Sequence, residues 1–340
     1  MNGRGSRRRG LLPWPGKRAS AAGVVAAAFA LRSATLLRGG VPLGRILPVI
    51  ARGPGPPTPT VGSARGGGDL ASADASVAEE LRLVARRASR RVAGGASLAD
   101  AVAGENHPSW RVLAAALLVA ERSGAPQAAA MERMSESLSA IESAAERRRV
   151  LLTGPRATIA LVGSLPLLAA ACGALLGFDP FGVLFGATGA FLVPAGVGLL
   201  AAGVAWASAL VRRIERSQRI VGVELELTWI ALQGGGPPGP ALRLVADAGA
   251  KVAAEWVSAD ALVAGGPTRR ALATASATGV AAGPLLLAEA VGERERSLRS
   301  LERAAERLGV TILLPIGTCV LPAFVVLGVI PVLIAMLGGV

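Results

Sequence analysis

His107 is the single histidine of the 340-residue chain, and Glu105 is the one acidic residue beside it, on a stretch flanked by Gly104 and Pro108. A general base or a metal ligand needs several groups converging on one point, and this stretch supplies a lone carboxylate. The expectation is a surface-loop residue. The two cysteines, Cys172 and Cys319, fall inside long apolar runs, where a thiol acts as a small packing group and not as part of a ligand cluster or a disulfide framework. No glycine-rich loop ends in Lys-Ser or Lys-Thr, so ATP hydrolysis by a P-loop is excluded. No spaced aspartates mark metal-assisted phosphotransfer. The sequence therefore predicts no catalytic residue, no bound metal and no cofactor: a protein that is not an enzyme.

The elements that would position any site are dominated by three runs without a charged residue: Ala157–Phe178, Pro180–Val211 and Leu308–Val340. About 20 apolar helical residues cross a bilayer core, so each run is long enough. Only Asp179 separates the first two, which makes them a hairpin. The runs hold no Asp, Glu, His, Lys or Arg, so the usual marker of a proton or ion path is missing. They hold Gly163, Gly173, Gly177, Gly186, Gly189, Gly196, Gly198 and Gly203 instead, a pattern that suits close helix–helix packing. Hydrophobic residues are 52% of the chain and the mean hydropathy is +0.51, too apolar for an ordinary soluble domain. The net charge of +13 comes without tyrosine and with 3% aromatics, so nucleic acid is not an expected partner. The basic residues crowd the ends of the apolar runs, where they set topology and meet anionic lipid.

Arg147, Arg148, Arg149 and Arg156 precede the first run, and Arg212, Arg213, Arg216 and Arg219 come after the second. By the positive-inside rule the polar segments are cytoplasmic and the Asp179–Pro180 tip faces outward. The chain divides into six segments. Residues 1–52 form a basic N-terminal region whose 19–31 run reads as a weak membrane anchor. Residues 53–68 are a Pro/Gly linker, and 69–156 a first cytoplasmic helical domain. Residues 157–211 are a transmembrane hairpin, 212–309 a second cytoplasmic helical domain, and 310–340 the last transmembrane segment. The fold class is all-α: an integral membrane protein with two cytoplasmic helical-bundle domains and about three transmembrane helices. Within the first domain, Gly94-Gly95 should end a helix and Ser97, with Asp100 three residues on, should cap the next. A helix from Trp110 should end at ERSGAP (Glu121–Pro126), with a long amphipathic one after it. In the second, LQGGGPPGPAL (Leu232–Leu242) separates two helices, and Glu295 and Arg299 face each other on the last. The last run would reach about 50 Å as one helix, so it must tilt, protrude or bend near Pro315, Pro322 or Pro331, or else turn back as a tight hairpin of short spans.

This order of parts resembles the F-type platform proteins of type II secretion and type IV pilus systems, and within them the Tad (tight adherence) or Flp pilus branch, of the TadB and TadC kind. The resemblance is carried by GGASLADAV (Gly94–Val102), ERSGAP, GPRATIAL (Gly154–Leu161) with LPLL (Leu165–Leu168), GFDP (Gly177–Pro180), LQGGGPPGPAL and LLPIGTCVLPAFVVLGVIP (Leu313–Pro331). The first half looks TadB-like and the second TadC-like, over about Leu81 to Val340. These are turn and packing motifs, so their order matters more than any one of them. The N-terminal region lacks the convincing extra spans of such proteins, and one chain joins two modules. The resemblance implies a platform in the bacterial cytoplasmic membrane that couples a hexameric secretion ATPase to extraction and assembly of pilin or pseudopilin. It implies contacts with a second platform protein or another copy of itself, and with membrane lipid. It places the ATPase-coupling region near Glu121, Arg122, Arg147, Arg148 and Arg149. The alternative is a small-solute transporter or permease subunit. That reading needs polar groups at mid-membrane, and the runs offer few beyond Thr158, Ser164, Thr188, Ser208, Thr311 and Thr318.

Overall fold

The computed structural model describes residues 18–53, 68–177, 182, 186, 189–217 and 220–337. The Asp179–Pro180 tip, most of the Pro/Gly linker and the arginines before Lys17 lie outside them. Among the described residues the chain is helical and holds no strand. Those within Met1–Ser143 and Val221–Gly292 cluster into one compact unit, those within Ala144–Ile220 and Glu293–Val340 into a second.

The first unit opens with α1 (Arg18–Arg38), α2 (Ile46–Arg52), α3 (Gly68–Ala93), α4 (Leu98–Ala103) and α5 (Pro108–Ser123). Then come the start of α6 (Gln127–Leu175) and, after the second unit's α7 (Gly189–Ser217), helices α8 (Val223–Gln233), α9 (Pro238–Lys251), α10 (Ala259–Leu262) and α11 (Pro267–Thr278), with the start of α12 (Ala282–Thr311). Helix α5 explains why they gather. Its sequence is apolar on every side, and Trp110 and each residue from Val112 to Ala120 are buried. A helix apolar all round must be surrounded. Helices α1, α4, α8 and α9 surround it. The two polar segments thus share one core, with α8 and α9 from the second packed on α5 of the first.

The 19–31 run, expected as a weak anchor, lies within α1. Val25, Ala26, Phe29, Ala30 and Ala34 form a buried stripe against α3 and α5, and Phe29 meets Trp110 edge-on at 5.5 Å between ring centroids. Its apolar stripe faces protein, where the aromatic contact adds to area burial.

Local signals read from the sequence hold. Ser97 Oγ accepts the Asp100 N–H at 3.1 Å and donates to its carboxylate at 2.6 Å, a cap that starts α4. Gly95 and Gly124 take φ of 93° and 75° where α3 and α5 end, the left-handed conformation that suits glycine.

The second unit contains the rest of α6, α7, and the end of α12 with the helical residues up to Leu337. Among the described residues three helical stretches are long and apolar enough to cross a membrane: within Gln127–Leu175, Ala190–Ile214 and Ala282–Ile334. Leu152, Val211, Leu308 and Ile312 form a buried cluster among them. Farther along, small residues let backbones approach. A β-carbon at Gly196 would collide with Leu327, and one at Gly203 would lie 2.8 Å from Val320; Gly163 faces Val204. Leu161, Leu167, Leu168, Leu175, Phe191, Leu313 and Leu337 are exposed, an apolar surface of the kind a bilayer covers. The chain does not reverse between Thr311 and Leu337. It stays helical through two π-helical stretches, Ile316–Val320 and Val325–Val329. Each lies just ahead of a proline, Pro322 and Pro331, whose ring would clash with the carbonyl four residues before it. The wider turn relieves that clash. Glu295 and Arg299 pair at 2.7 Å on α12, as their spacing requires.

Candidate functional site

The first unit holds two buried carboxylate clusters paired with arginines and backbone donors. Glu105, on the loop between α4 and α5, is buried and accepts from Arg87 Nη2 at 2.8 Å and Arg91 Nη1 at 2.7 Å, both on α3. Arg91 also donates to the carbonyls of Ala101 and Gly104, so it ties α4 to α3. Burial pushes the Glu105 carboxyl up, but the two guanidiniums outweigh it and hold the group below its ordinary value. Its hydrogen bonds in turn raise Arg87.

Beside this cluster, α2 and α3 enclose a cleft of about 990 Å³ lined by Arg52, Arg82, Arg86, Arg87 and Arg90, with Glu79. Arg82 pairs with Glu79 at 2.9 Å, and Arg87 with Glu80 and Glu105. Arg86 and Arg90 are exposed on α3. The cleft is therefore predominantly basic, a lining that can hold an acidic group.

A second charged contact lies in the core. Glu226 on α8 is fully buried, 0% exposed, and accepts from Arg133 Nη2 on α6 at 2.7 Å. Arg133 also reaches Glu136 at 2.7 Å. Nearby, buried Glu224 accepts the Ser258 N–H at 2.6 Å. Neither carboxylate was visible to sequence reasoning as a site, because Val223, Leu227 and Ile230 define an apolar face and the carboxylates' partners are remote in sequence. The signal available was two glutamates inside an otherwise apolar helix that carries no basic residue to pair with them.

His107 is not a simple surface residue. Its Nδ1 accepts the Ser109 N–H at 3.3 Å and caps α5, and its ring meets Trp256 edge-on at 6.0 Å. Burial pushes the imidazole below its ordinary 6.5, against a smaller opposing pull from Glu255, which Arg111 holds at 2.5 Å. A neutral ring is required for the cap. With the folded value depressed, the stabilisation is complete above about 6.5 and is lost as pH falls through the folded value. Melting of the full chain in detergent should fall more between pH 7.5 and 5.5 than melting of His107→Asn, whose amide caps at both, with a cap worth about 1 kcal/mol. Equal falls in the two proteins would contradict the role.

The residues expected to couple to an ATPase are placed in two groups. Glu121 and Arg122 are exposed at the end of α5. Next to them Ser123 touches the glycine turn of the second polar segment: a β-carbon on Gly234 would fall on the Ser123 carbonyl oxygen. The ERSGAP and LQGGGPPGPAL segments, far apart in sequence, are thus joined. Arg147, Arg148 and Arg149 lie on α6, beyond the point where that helix passes from the first unit to the second at Ala144. Arg149 pairs with Glu146 at 3.1 Å and Arg147 is exposed. The two groups belong to different units. Among the described residues no cluster of His, Cys, Asp and Glu could hold a metal ion.

Residues 69–172 match the family of the type II secretion system (T2SS) protein F. The matched stretch runs from α3 into the first apolar span and includes the Glu105 cluster and the ERSGAP turn. It points to the platform proteins of secretion and pilus systems in general. No curated protein and no solved structure matches the chain.

Proposed function

We propose that this protein is a platform of a Tad/Flp-type pilus or type II secretion-like apparatus in the bacterial cytoplasmic membrane. It couples a cytoplasmic hexameric ATPase to the extraction and assembly of pilin or pseudopilin. The observation that carries the reading is the F-type match over residues 69–172, which joins a helical domain to a span in one continuous element. Helix α6 begins at the ERSGAP turn, carries Arg147–Arg149, and continues as the first apolar run without a break. A displacement of helices around α5 is then passed along α6 toward the bilayer. The reading also draws on charge: both polar segments lie on the arginine-rich side of the spans, which the positive-inside rule makes cytoplasmic. The protein is not an enzyme in this role; the ATPase supplies the free energy, and the helices supply the linkage.

Replacing Arg147, Arg148 and Arg149 together by Glu tests the linkage. Arg156, Arg212 and Arg213 remain to hold orientation. Pilus assembly or cargo secretion should drop at least about tenfold while membrane level and reporter-fusion topology stay unchanged. Full assembly with unchanged topology would remove this run from the coupling region.

A further inference from the structure

A cleft of about 570 Å³ opens in the second unit between the end of α7 and the last turns of α12. Helix α12 lines it with Ser300, Arg303, Ala304, Arg307, Leu308 and Thr311, a stripe at helical spacing, and α7 adds Leu210, Arg213 and Ile214. The floor is apolar and packed, because Leu308, Leu210 and Ile214 belong to the cluster around Leu152, Val211 and Ile312. The rim is cationic. Arg213, Arg303 and Arg307 are exposed, and among the described residues none has an ion-pair partner, although Glu302 and Glu306 lie on the same helix. The hydroxyls of Ser300 and Thr311 already donate to the carbonyls of Ser297 and Arg307, at 2.7 and 2.9 Å. The donors left for a ligand are the guanidiniums.

The position of this cleft in the chain is as telling as its lining. The second charge-free run ends at Val211 and the third begins at Leu308, so the arginines stand where polar helix gives way to span. Guanidinium is the side chain best matched to phosphate, through paired parallel hydrogen bonds. A soluble anion would use the rim and leave the apolar floor empty; an amphiphile uses both. We propose that this cleft holds an anionic phospholipid, with its phosphate between Arg213, Arg303 and Arg307 and its glycerol and first acyl carbons over Leu210, Ile214 and Leu308.

The test uses the full chain in nanodiscs of equal phosphatidylglycerol and phosphatidylcholine, ejected for native mass spectrometry. The retained lipid should favour phosphatidylglycerol, and the preference should fall about tenfold or more in Arg213→Gln/Arg303→Gln/Arg307→Gln. These side chains are exposed and have no ion-pair partner among the described residues, so the variant should melt as the parent does. A charge-matched control at exposed cations elsewhere, Arg45→Gln/Arg243→Gln/Lys251→Gln, should keep the preference. An unchanged preference in the cleft variant, or an equal loss in the control, would overturn the site. Full displacement of phosphatidylglycerol by millimolar inorganic phosphate would assign the cleft to a soluble anion and overturn the lipid.

Discussion

Replacing Arg133 by Met should destabilise the full chain in detergent by about 3–5 kcal/mol, the largest single-residue loss expected outside the apolar core. The substitution keeps the aliphatic stem and removes the guanidinium that Glu226, fully buried on α8, accepts from at 2.7 Å. A carboxylate held at 0% exposure cannot recover that interaction from water. Glu136, the other partner of Arg133, is 60% exposed and loses little when released. The double variant Arg133→Met/Glu226→Gln, with its neutral amide, should regain at least half of the loss. Chemical denaturation of the two single variants and the double variant measures the coupling. Strictly additive losses would mean that the pair does not join α6 to α8.

The second large effect is expected from three consecutive glycines treated separately. Gly234, Gly235 and Gly236 stand in one turn between α8 and α9, yet their surroundings differ. A β-carbon on Gly234 meets the backbone oxygen of Ser123, which cannot swing away as a side-chain tip could. Gly234→Ala should cost about 3 kcal/mol by forcing the α8–α9 turn off the end of α5. Gly235 has open space but a φ of +78°, so Gly235→Ala should cost about 1 kcal/mol in backbone strain. Gly236 has open space and no such φ, and its alanine variant should lie within about 0.5 kcal/mol of the parent. Three equal effects would contradict the close approach. The functional consequence runs in the same order, since this turn holds the second segment against the end of α5, where Glu121 and Arg122 stand. Gly234→Ala should weaken partner coupling as well as stability, and Gly236→Ala neither.

The spans were legible because lipid leaves an unambiguous mark: long charge-free runs bounded by arginine. So were the cap at Ser97 and the helix ends at Gly95 and Gly124, which depend on residues within one turn. Gly163, Gly196 and Gly203 were legible as packing positions, though not which neighbour each would meet. What sequence reading missed depends on partners remote in the chain. The buried stripe of α1, with Val25, Phe29 and Ala30, reads equally as lipid-facing or core-facing until α5 is known to lie beside it. Its basic preceding residues tilted the reading toward an anchor. Glu224 and Glu226 look like solvated charges because Ser258 and Arg133 are not near them in sequence. The union of the two polar segments around α5 had one local clue, a helix without a polar side, and its meaning needed the second segment to be in place.

The platform function stands or falls on what accompanies the protein in the membrane. The tagged full chain should be purified in mild detergent from its native host and its stoichiometric companions identified by mass spectrometry. A hexameric secretion ATPase should co-purify, together with a second platform protein or a pilin. The ATPase should be lost from the preparation when Arg147, Arg148 and Arg149 are reversed to Glu. Intact protein recovered from the membrane with neither an ATPase nor a pilin-class partner would contradict the platform function.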